Sequence, residues 1–241
     1  MALEFTTASQ QSAAQGVKML VYGDSGMGKT VLCATMPRPV LLSAESGVLS
    51  LAQKNLEKLF GVNQPWVTYN MPIIQIRSVN DLSEAYDWLT RSAEAKGFDS
   101  ICLDSLSEIA EQVLNNAKRQ VKDPRQAYGE LIEKMETSIR AYRDVQGKHV
   151  LMSAKMEPMK NELTGVVTYG PSMPGAKLGP KLPYFFDEVF RLGVSKDNAG
   201  TPFRFLQTQP DLQYTAKDRS GSLQPMEQPI MASVLHSILS S

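Results

Sequence analysis

Short apolar runs alternate with segments of helical spacing over the first two thirds of the chain. The runs are rich in residues that favour strands, which predicts buried strands over 17–22, 39–43, 72–76, 98–104 and 149–154. Between them, apolar residues recur at helical spacing, which predicts helices over 31–36, 49–60, 80–95, 106–114 and 130–145. Strands that alternate with helices in this way are typical of a parallel sheet covered on both faces.

The pattern changes after residue 155. Residues 156–183 are rich in Pro, Gly, Met and Lys and have no clear period, which predicts a long irregular segment. Residues 118–129 are charged and contain Pro124, so they are predicted to form a second exposed loop. Beyond these loops the pattern predicts an antiparallel extension of the sheet and a closing helix, over 187–194, 203–209, 212–216 and 230–239.

These elements divide the chain into three parts. We expect a flexible N-terminal lead-in over 1–15, one α/β domain over 16–225, and a C-terminal tail with a short helix over 226–241. The 241 residues suffice for a full hydrophobic core, and no internal repeat is visible.

Composition and charge exclude several classes of protein. With 42% hydrophobic residues the chain is not a disordered one, and 25 Lys+Arg against 25 Asp+Glu exclude a uniformly basic protein that coats nucleic acid. That balance still permits a local basic groove. No apolar run approaches the ~18 residues that would span a membrane, and no signal-peptide pattern is present, so we expect a soluble cytoplasmic protein without a membrane partner. Cys33 and Cys102 lie in apolar runs and are expected to be small core residues.

A phosphate-binding motif directly follows the first predicted strand. Its residues satisfy the pattern Gly-x-x-x-x-Gly-Lys-Thr between a strand and a helix, which is the context that a P-loop requires. The glycines let backbone N–H groups surround a phosphate, Lys29 can reach the β- and γ-phosphate oxygens, and the Thr30 hydroxyl can bind Mg²⁺. The motif therefore predicts ATP and Mg²⁺ as ligands, held by Gly23, Asp24, Ser25, Gly26, Met27, Gly28, Lys29, Thr30 and Val31.

Two acidic residues at strand ends are candidates for the chemistry around the phosphates. Asp104 ends the strand 98–104 and is predicted to complete the Mg²⁺ shell, although it could also cap the following helix. Glu45 follows the strand 39–43, and its carboxylate would face the γ-phosphate if that strand lies beside the P-loop strand. From position alone, an ordinary exposed loop glutamate is an equally good interpretation of Glu45.

The order of these motifs resembles the RecA-type ATPase core. The P-loop is followed by Ser43-Ala44-Glu45, Leu103-Asp104-Ser105 and Ser153-Ala154-Lys155, and a late Lys217-Asp218-Arg219 is similar to the Lys-x-Arg segment of RecA, RadA and DnaB-like ATPases. The size and the Pro-Gly-rich basic segment are most similar to the phage-encoded, RecA-like single-strand annealing ATPases. RecA carries a glutamine where this chain has Ser153-Ala154-Lys155, so Ser153 or Lys155 would couple nucleotide to DNA by different contacts.

The resemblance implies roles for individual residues. It implies that Lys29 and Glu45 are catalytic, with Glu45 polarising water, and that Asp104 binds Mg²⁺. It also implies a RecA-like P-loop fold, a homo-oligomer in ring or filament form, and a bacterial host cytoplasm as the location. In that oligomer Lys217 and Arg219 would act on the γ-phosphate of a neighbouring subunit. Without the resemblance, a solvated charged turn is the simpler interpretation of these two residues.

Two groups of basic residues are candidates for binding single-stranded DNA. Cations that contact phosphates, together with a flat ring that stacks on bases, are typical of such surfaces. The first group, in or beside 156–183, is Lys155, Lys160, Tyr169, Lys177 and Lys181. The second group is Lys118, Arg119, Lys122 and Arg125. Solvated surface charge on long loops is the alternative interpretation of both groups.

The function that these observations favour is that of a Mg²⁺-dependent ATPase that binds single-stranded DNA and promotes annealing or recombination as an oligomer, with a single-strand binding protein as a further partner. The first alternative is a nucleotide-gated assembly or loader protein that docks a replication protein instead of DNA. A P-loop kinase is a weaker alternative, because no lid with arginines is visible in the sequence.

Overall fold

The computed structural model describes residues 5–7, 10, 14–45, 47–160, 163–175 and 177–240. In this part of the chain the strands are β1 (Lys18–Gly23), β2 (Pro39–Ser43), β3 (Ile73–Gln75), β4 (Ser100–Asp104), β5 (His149–Lys160), β6 (Val167–Ser172), β7 (Glu188–Lys196), β8 (Pro202–Gln207), β9 (Lys217–Asp218) and β10 (Met226–Glu227). The helices are α1 (Lys29–Cys33), α2 (Gln53–Phe60), α3 (Val79–Arg91), α4 (Leu106–Gln120), α5 (Pro124–Arg143) and α6 (Met231–Leu239). Short 3₁₀ helices span Val48–Leu51, Glu94–Gly97 and Gly179–Phe185.

All of these strands belong to one mixed sheet. Its order is β10-β8-β7-β1-β5-β4-β2-β3, with β6 paired to β5 and β9 paired to β7. The central strands from β7 to β3 are parallel, whereas β6, β8, β9 and β10 add in antiparallel orientation. The predicted fold class, a mostly parallel sheet flanked by helices with a C-terminal antiparallel extension, is confirmed.

Alternating side chains of the central strands fill two separate cores. On β1, Leu20 and Tyr22 point to the face that α3, α4 and α5 cover. Met19 and Val21 point to the opposite face, where α1, α2 and α6 pack. Because both faces are covered, β1 is buried along its whole length and holds the loop that follows it at the carboxyl edge of the sheet.

The position of β2 corrects one condition of the sequence analysis. The Glu45 carboxylate was predicted to face the γ-phosphate if the strand before it lay beside the P-loop strand, and this condition is not met, because β5 and β4 lie between β1 and β2. The inserted β5 pairs with β1 through Lys18 and Val150 and with β4 through Ile101 and Val150. Glu45 therefore approaches the P-loop from beyond β4, and its position depends on side-chain contacts described below.

The predicted loop over 118–129 is also wrong. Helix α4 continues to Gln120 and α5 begins at Pro124, so only three residues separate them. Pro124 occupies the first turn of α5, where a backbone N–H has no helical acceptor and its absence costs nothing. The Asp123 side chain accepts a hydrogen bond from Arg125 N at 2.9 Å and caps the helix.

The segment 156–183, expected to be irregular, contains regular structure. Strand β5 continues beyond the parallel sheet and pairs with β6 from Lys155–Ser172 to Lys160–Val167, forming a hairpin. Pro158 fits this strand because the part of β5 beyond Lys155 has a partner on one side, and proline is tolerated at such an edge. The predicted strand over 212–216 is wrong, since Tyr214 makes only an isolated bridge to Tyr169.

The last two elements pack into the domain. Strand β10 pairs with β8, and Met231 N at the start of α6 donates a hydrogen bond of 2.9 Å to the Thr35 hydroxyl just after α1. The boundary expected at residue 226 stays a prediction, but the described tail residues share a core with the P-loop helix. Most of the predicted lead-in, including 1–4, 8–9 and 11–13, lies outside the described residues.

Cys33 and Cys102 are buried and free, as expected of core residues. Among the helices of the described residues, none combines the length and apolar character that crossing a bilayer requires.

The packing of α6 predicts different effects for two leucines of the same helix. Leu235 is 2% exposed in the core beside α1, whereas Leu239 is 62% exposed. We expect Leu235→Ala to lower the free energy of unfolding by about 2–5 kcal/mol, because it leaves a cavity. The matched control Leu239→Ala should change it by less than about 0.5 kcal/mol. Urea denaturation measures both, and equally small effects would contradict the integration of α6 into the core.

Candidate functional site at the carboxyl edge of the sheet

The P-loop backbone curves around an open cradle. Gly26 and Gly28 have φ values of +75° and +99°, a region that L side chains rarely adopt. A Cβ added at either position would meet nothing within 4 Å, so conformation and not crowding requires glycine there. Gly23 differs, because an added Cβ would lie 2.8 Å from the Leu192 carbonyl oxygen on β7. The loop thus leaves open space on its inner side, which suits a phosphate.

The Lys29 ammonium lies over this loop. Its Nζ donates hydrogen bonds of 2.8 Å to the carbonyl oxygens of Gly23 and Asp24. Burial lowers the pKa of Lys29, while the nearby carboxylates of Asp104 and Glu45 partly offset this. Both hydrogen-bond acceptors are neutral carbonyls, so a phosphate oxygen would be a stronger partner for the ammonium.

Asp104 is held between two hydroxyl groups. Thr30 Oγ1 donates to Asp104 Oδ2 at 2.6 Å, and Ser153 Oγ on the neighbouring strand β5 donates to Oδ1. The Asp104 side chain lies almost fully inside the protein, and this burial raises its pKa although the hydrogen bonds from Ser153 and Thr30 act in the opposite direction. The interpretation of Asp104 as only a helix cap does not account for these contacts, since Ser105 caps α4 instead.

Glu45 reaches the same place through different contacts. Ala44 N donates to the Asp104 carbonyl oxygen at 2.8 Å, which joins the end of β2 to the end of β4. The Ser43 hydroxyl donates to the Glu45 carbonyl oxygen at 2.6 Å, and the Ser105 hydroxyl donates to Glu45 Oε1 at 2.6 Å. These contacts bring the Glu45 carboxylate to the P-loop although two strands lie between β2 and β1.

These side chains surround one cavity of about 340 Å³. Its lining combines P-loop residues with residues of the segment after β2 and with the ends of β4 and β5, namely Ser25, Gly26, Gly28, Lys29, Thr30, Glu45, Gly47, Ser50, Asp104 and Lys155. Of the other residues predicted to contact nucleotide, Met27 and Val31 pack against the core of one face of the sheet.

The donor set fits a nucleotide-bound Mg²⁺ ion. The described residues contain no group of three or more His, Cys, Asp or Glu side chains that could hold a metal by themselves. Thr30 and Asp104 are 2.6 Å apart and are oxygen ligands of the kind that Mg²⁺ takes together with phosphates and water. A Mg²⁺ ion at this position would therefore depend on the nucleotide for its remaining ligands.

Comparison with known proteins identifies the family. The model of the AAA_24 family, which describes an AAA domain, matches residues 15–220. The chain belongs to this family. The matched range contains the P-loop, Glu45 and Asp104, so the AAA domain carries a P-loop ATPase core. With β5 inserted between the P-loop strand and the strand of Asp104, the predicted mostly parallel P-loop core is confirmed.

Two of the similar solved structures are archaeal. The flagellar accessory protein FlaH from Methanocaldococcus jannaschii is 13% identical, with 88% of this chain and 84% of that chain covered and a TM-score of 0.42. A KaiC-like protein from the hyperthermophilic archaeon Pyrococcus horikoshii is 14% identical, with 84% of each chain covered and a TM-score of 0.41. A search of the curated proteins found no match.

The Lys217 and Arg219 side chains of the AAA domain lie far from its own P-loop. Strand β9 pairs with β7 at Glu188, which aligns with Met19 at the amino end of β1. Lys217 Nζ donates to the carbonyl oxygens of Pro183 and Phe186, and Arg219 pairs with Asp187 at 2.8 Å. Neither side chain can therefore contact the nucleotide of its own subunit, and their action on a neighbouring subunit stays a prediction.

A buried acid lies under this segment. Glu188 is 1% exposed, its Oε1 accepts a hydrogen bond of 3.2 Å from Ser220 N, and its Oε2 has no hydrogen-bond partner in the described residues. Burial, followed by repulsion from Asp218, raises the pKa of Glu188 to about 7. Ionisation of Glu188, which lies beneath the Lys217–Asp218 strand, therefore lowers the stability of the folded state.

The predicted DNA-binding residues of the hairpin lie in different surroundings. Lys155 lines the cavity and pairs with Glu108 at 3.3 Å and with Glu111 at 3.0 Å. Lys160 is exposed at the end of β5, whereas Tyr169 on β6 stacks on Tyr214 with ring centroids 5.4 Å apart. Only Lys160 of these three presents an exposed charge without belonging to the cavity or to an aromatic stack.

The two predicted DNA-binding segments meet at Tyr128. Lys118 Nζ lies 5.4 Å from the centroid of the Tyr128 ring. The same ring packs on Gly175, where an added Cβ would lie 3.1 Å from it, and Lys177 follows two residues later. Lys181 instead pairs with Glu136 at 2.8 Å. The remaining members of the second group, at the corner between α4 and α5, are exposed, namely Arg119, Lys122 and Arg125.

Sequence reasoning missed the role of Ser105 and the contributions of Gly47 and Ser50 to the cavity. The motif Leu103-Asp104-Ser105 could have indicated Ser105, because its hydroxyl group directly follows the carboxylate that ends the strand. Both side chains are therefore expected at the same edge of the sheet. Gly47 and Ser50 carry no such signal, because their place depends on the path of the chain after Glu45.

The raised pKa of Glu188 predicts a pH dependence of stability. Its contribution to stability is complete below the ordinary pKa of 4.5 and is lost as the pH rises through about 7. We expect Glu188→Gln, which stays neutral, to raise Tm at pH 8.5 and to change it much less at pH 5. The exposed Glu84→Gln serves as the control. Equal changes in Tm for Glu188→Gln at both pH values would contradict this assignment.

Proposed function

We propose that this AAA domain is a Mg²⁺-dependent ATPase that binds single-stranded DNA and promotes annealing or recombination as an oligomer. One observation carries the proposal. The hydrogen bonds of Asp104 with Thr30 and Ser153 join the P-loop to β5, and β5 continues without interruption into the hairpin that carries Lys160. A change at the nucleotide would thereby reach a basic surface along one strand.

The residues of the cavity divide the work of hydrolysis. Bound Mg²⁺ would neutralise charge that develops on the phosphates. Lys29 would bind the β- and γ-phosphate oxygens, and Thr30 with Asp104 would hold the metal. Glu45 would accept a hydrogen bond from the attacking water and orient it, as the resemblance to RecA-type ATPases implies.

Lys155 supports a link between the nucleotide and the hairpin. Its ammonium lines the cavity but pairs with Glu108 and Glu111 of α4. Burial lowers the pKa of Lys155, and the hydrogen bonds to Glu111 and Glu108 outweigh this and raise it, so the side chain carries a full charge. A γ-phosphate would compete with the two carboxylates for this charge and would shift the start of the hairpin.

The meeting of both basic segments at Tyr128 supports DNA as the ligand. Lys118 lies over this ring, Gly175 packs against it two residues before Lys177, and exposed cations occupy the α4–α5 corner nearby. A surface that combines cations with an aromatic ring binds single-stranded DNA with little dependence on base sequence.

Fluorescence anisotropy with a labelled oligo-dT tests the proposal. We expect binding that weakens with salt and tightens several-fold when Mg²⁺ and a non-hydrolysable ATP analogue are added. Lys160→Glu and Lys177→Glu should each weaken binding, while Lys58→Glu on α2 should not. Lys29→Ala should abolish the effect of the nucleotide. Absence of oligo-dT binding at low salt, or an equal loss in the Lys58→Glu control, would contradict the proposal.

A mixing experiment tests the role of Arg219 between subunits. We expect Arg219→Ala to lower kcat by about 10³-fold, as for an arginine that stabilises the transferred phosphoryl group in trans. Mixing it with the inactive Lys29→Ala variant should restore part of the activity, because each variant supplies what the other lacks. The exposed Arg204→Ala is the control and should stay active. No recovery on mixing would contradict a contribution between subunits.

A second candidate function, the docking of a replication protein, is favoured by one observation. The tip of the hairpin exposes Val166 and Val167, which are 52% and 43% accessible, whereas a DNA-binding surface favours cations there. This candidate would be favoured if a replication protein bound the hairpin only in the presence of nucleotide and oligo-dT did not bind.

A further inference from the structure

We propose that Ser105 is a positioning residue that holds the Glu45 carboxylate for hydrolysis. This inference rests on the proposed ATPase function and adds a residue to which the sequence analysis gave no role. The inference is based on the hydrogen bond of 2.6 Å that Ser105 Oγ donates to Glu45 Oε1.

The Ser105 hydroxyl is itself held on both sides. It donates its single proton to Glu45, and it accepts a hydrogen bond of 3.3 Å from Glu108 N at the start of α4. Ser105 has no exposed surface, so its side chain cannot turn to water. The hydroxyl is thus a rigid donor fixed by the N-terminus of a helix.

Glu45 needs such a donor. It follows the end of β2 on a loop, and its backbone contacts through Ser43 and Ala44 place its Cα but not its carboxylate. Within the described residues, Ser105 supplies the hydrogen bond that the carboxylate accepts. With Oε1 held in this way, Oε2 is left to accept a hydrogen bond from water in the cavity, where Glu45 is part of the lining.

The same helix end also carries the contact to Lys155. Glu108, whose N–H meets the Ser105 hydroxyl, pairs through its side chain with Lys155 at the start of the hairpin. Glu45 and Lys155 are therefore both oriented by the start of α4, although Glu45 lies on the loop after β2 and Lys155 lies on β5.

Steady-state kinetics of Ser105 variants test the inference. We expect Ser105→Ala to lower kcat by about 10- to 100-fold, since a catalytic group misplaced by about 1 Å costs that much. The affinity for ATP should change by less than about threefold, because Lys29 and Thr30 keep their contacts. Ser105→Thr retains a hydroxyl and should restore most of the rate.

A matched control separates this role from helix capping. Ser78 caps α3 by accepting a hydrogen bond of 3.1 Å from Asp81 N, away from the cavity. Ser78→Ala should lower Tm by an amount similar to Ser105→Ala and leave kcat unchanged. A loss of kcat in Ser78→Ala equal to that in Ser105→Ala would overturn the inference, because capping alone would then explain it.

A double variant shows whether Ser105 acts through Glu45. We expect Glu45→Gln to abolish most hydrolysis while ATP still binds, and Ser105→Ala to cause little further loss in that background. If Glu45→Gln hydrolyses ATP normally, the proposed role of Glu45 fails, and the inference fails with it. Two results would overturn only the inference about Ser105 when Glu45→Gln is inactive. In the first, Ser105→Ala is fully active; in the second, Ser105→Ala loses ATP affinity as much as it loses kcat.

Discussion

A single buried carboxylate organises the candidate site. Asp104 lies almost fully inside the protein at the end of β4, where an unpartnered charge would strongly disfavour folding. Thr30 of the P-loop helix and Ser153 of β5 each donate a hydroxyl hydrogen bond to it. Three separate parts of the chain therefore meet at one side chain, and the Thr30 bond ties the start of the P-loop helix to the end of β4. The raised pKa of Asp104 reflects the remaining cost of its burial.

From this point the structure extends in two directions. Towards β2, the contacts of Ala44 and Ser105 bring Glu45 beside the phosphate cradle. Towards the hairpin, β5 passes Ser153 and Lys155 and continues to Lys160, so that a strand of the core becomes a surface element. The first turn of α4 joins both directions, because it meets Ser105 and Lys155. In the proposed function, hydrolysis is coupled to a ligand of the hairpin through the chain of β5 and through the contacts of α4 with Ser105 and Lys155.

Several predictions from the pattern of residues agree with the structure for local reasons. Continuous apolar runs predicted the central strands, because a strand that is buried on both faces consists mostly of apolar residues. The P-loop was predictable because all of its determinants lie within eight consecutive residues. Its glycines allow the backbone conformation of the loop, and Lys29 supplies the positive charge. The failures also have local causes. Pro124 was interpreted as a helix breaker, but it begins a helix, and Pro158 lies at an edge where proline fits a strand.

The sequence by itself determined the alternation of strands and helices, the phosphate cradle, and Asp104 at a strand end, because each depends on neighbouring residues. Only the tertiary structure decided that β5 lies between β1 and β4, that Glu45 meets Ser105, and that Arg219 lies at the edge opposite its own P-loop. These relations join residues far apart in the chain. They arise from the order of strands in the sheet, which no local pattern of apolar and polar residues specifies.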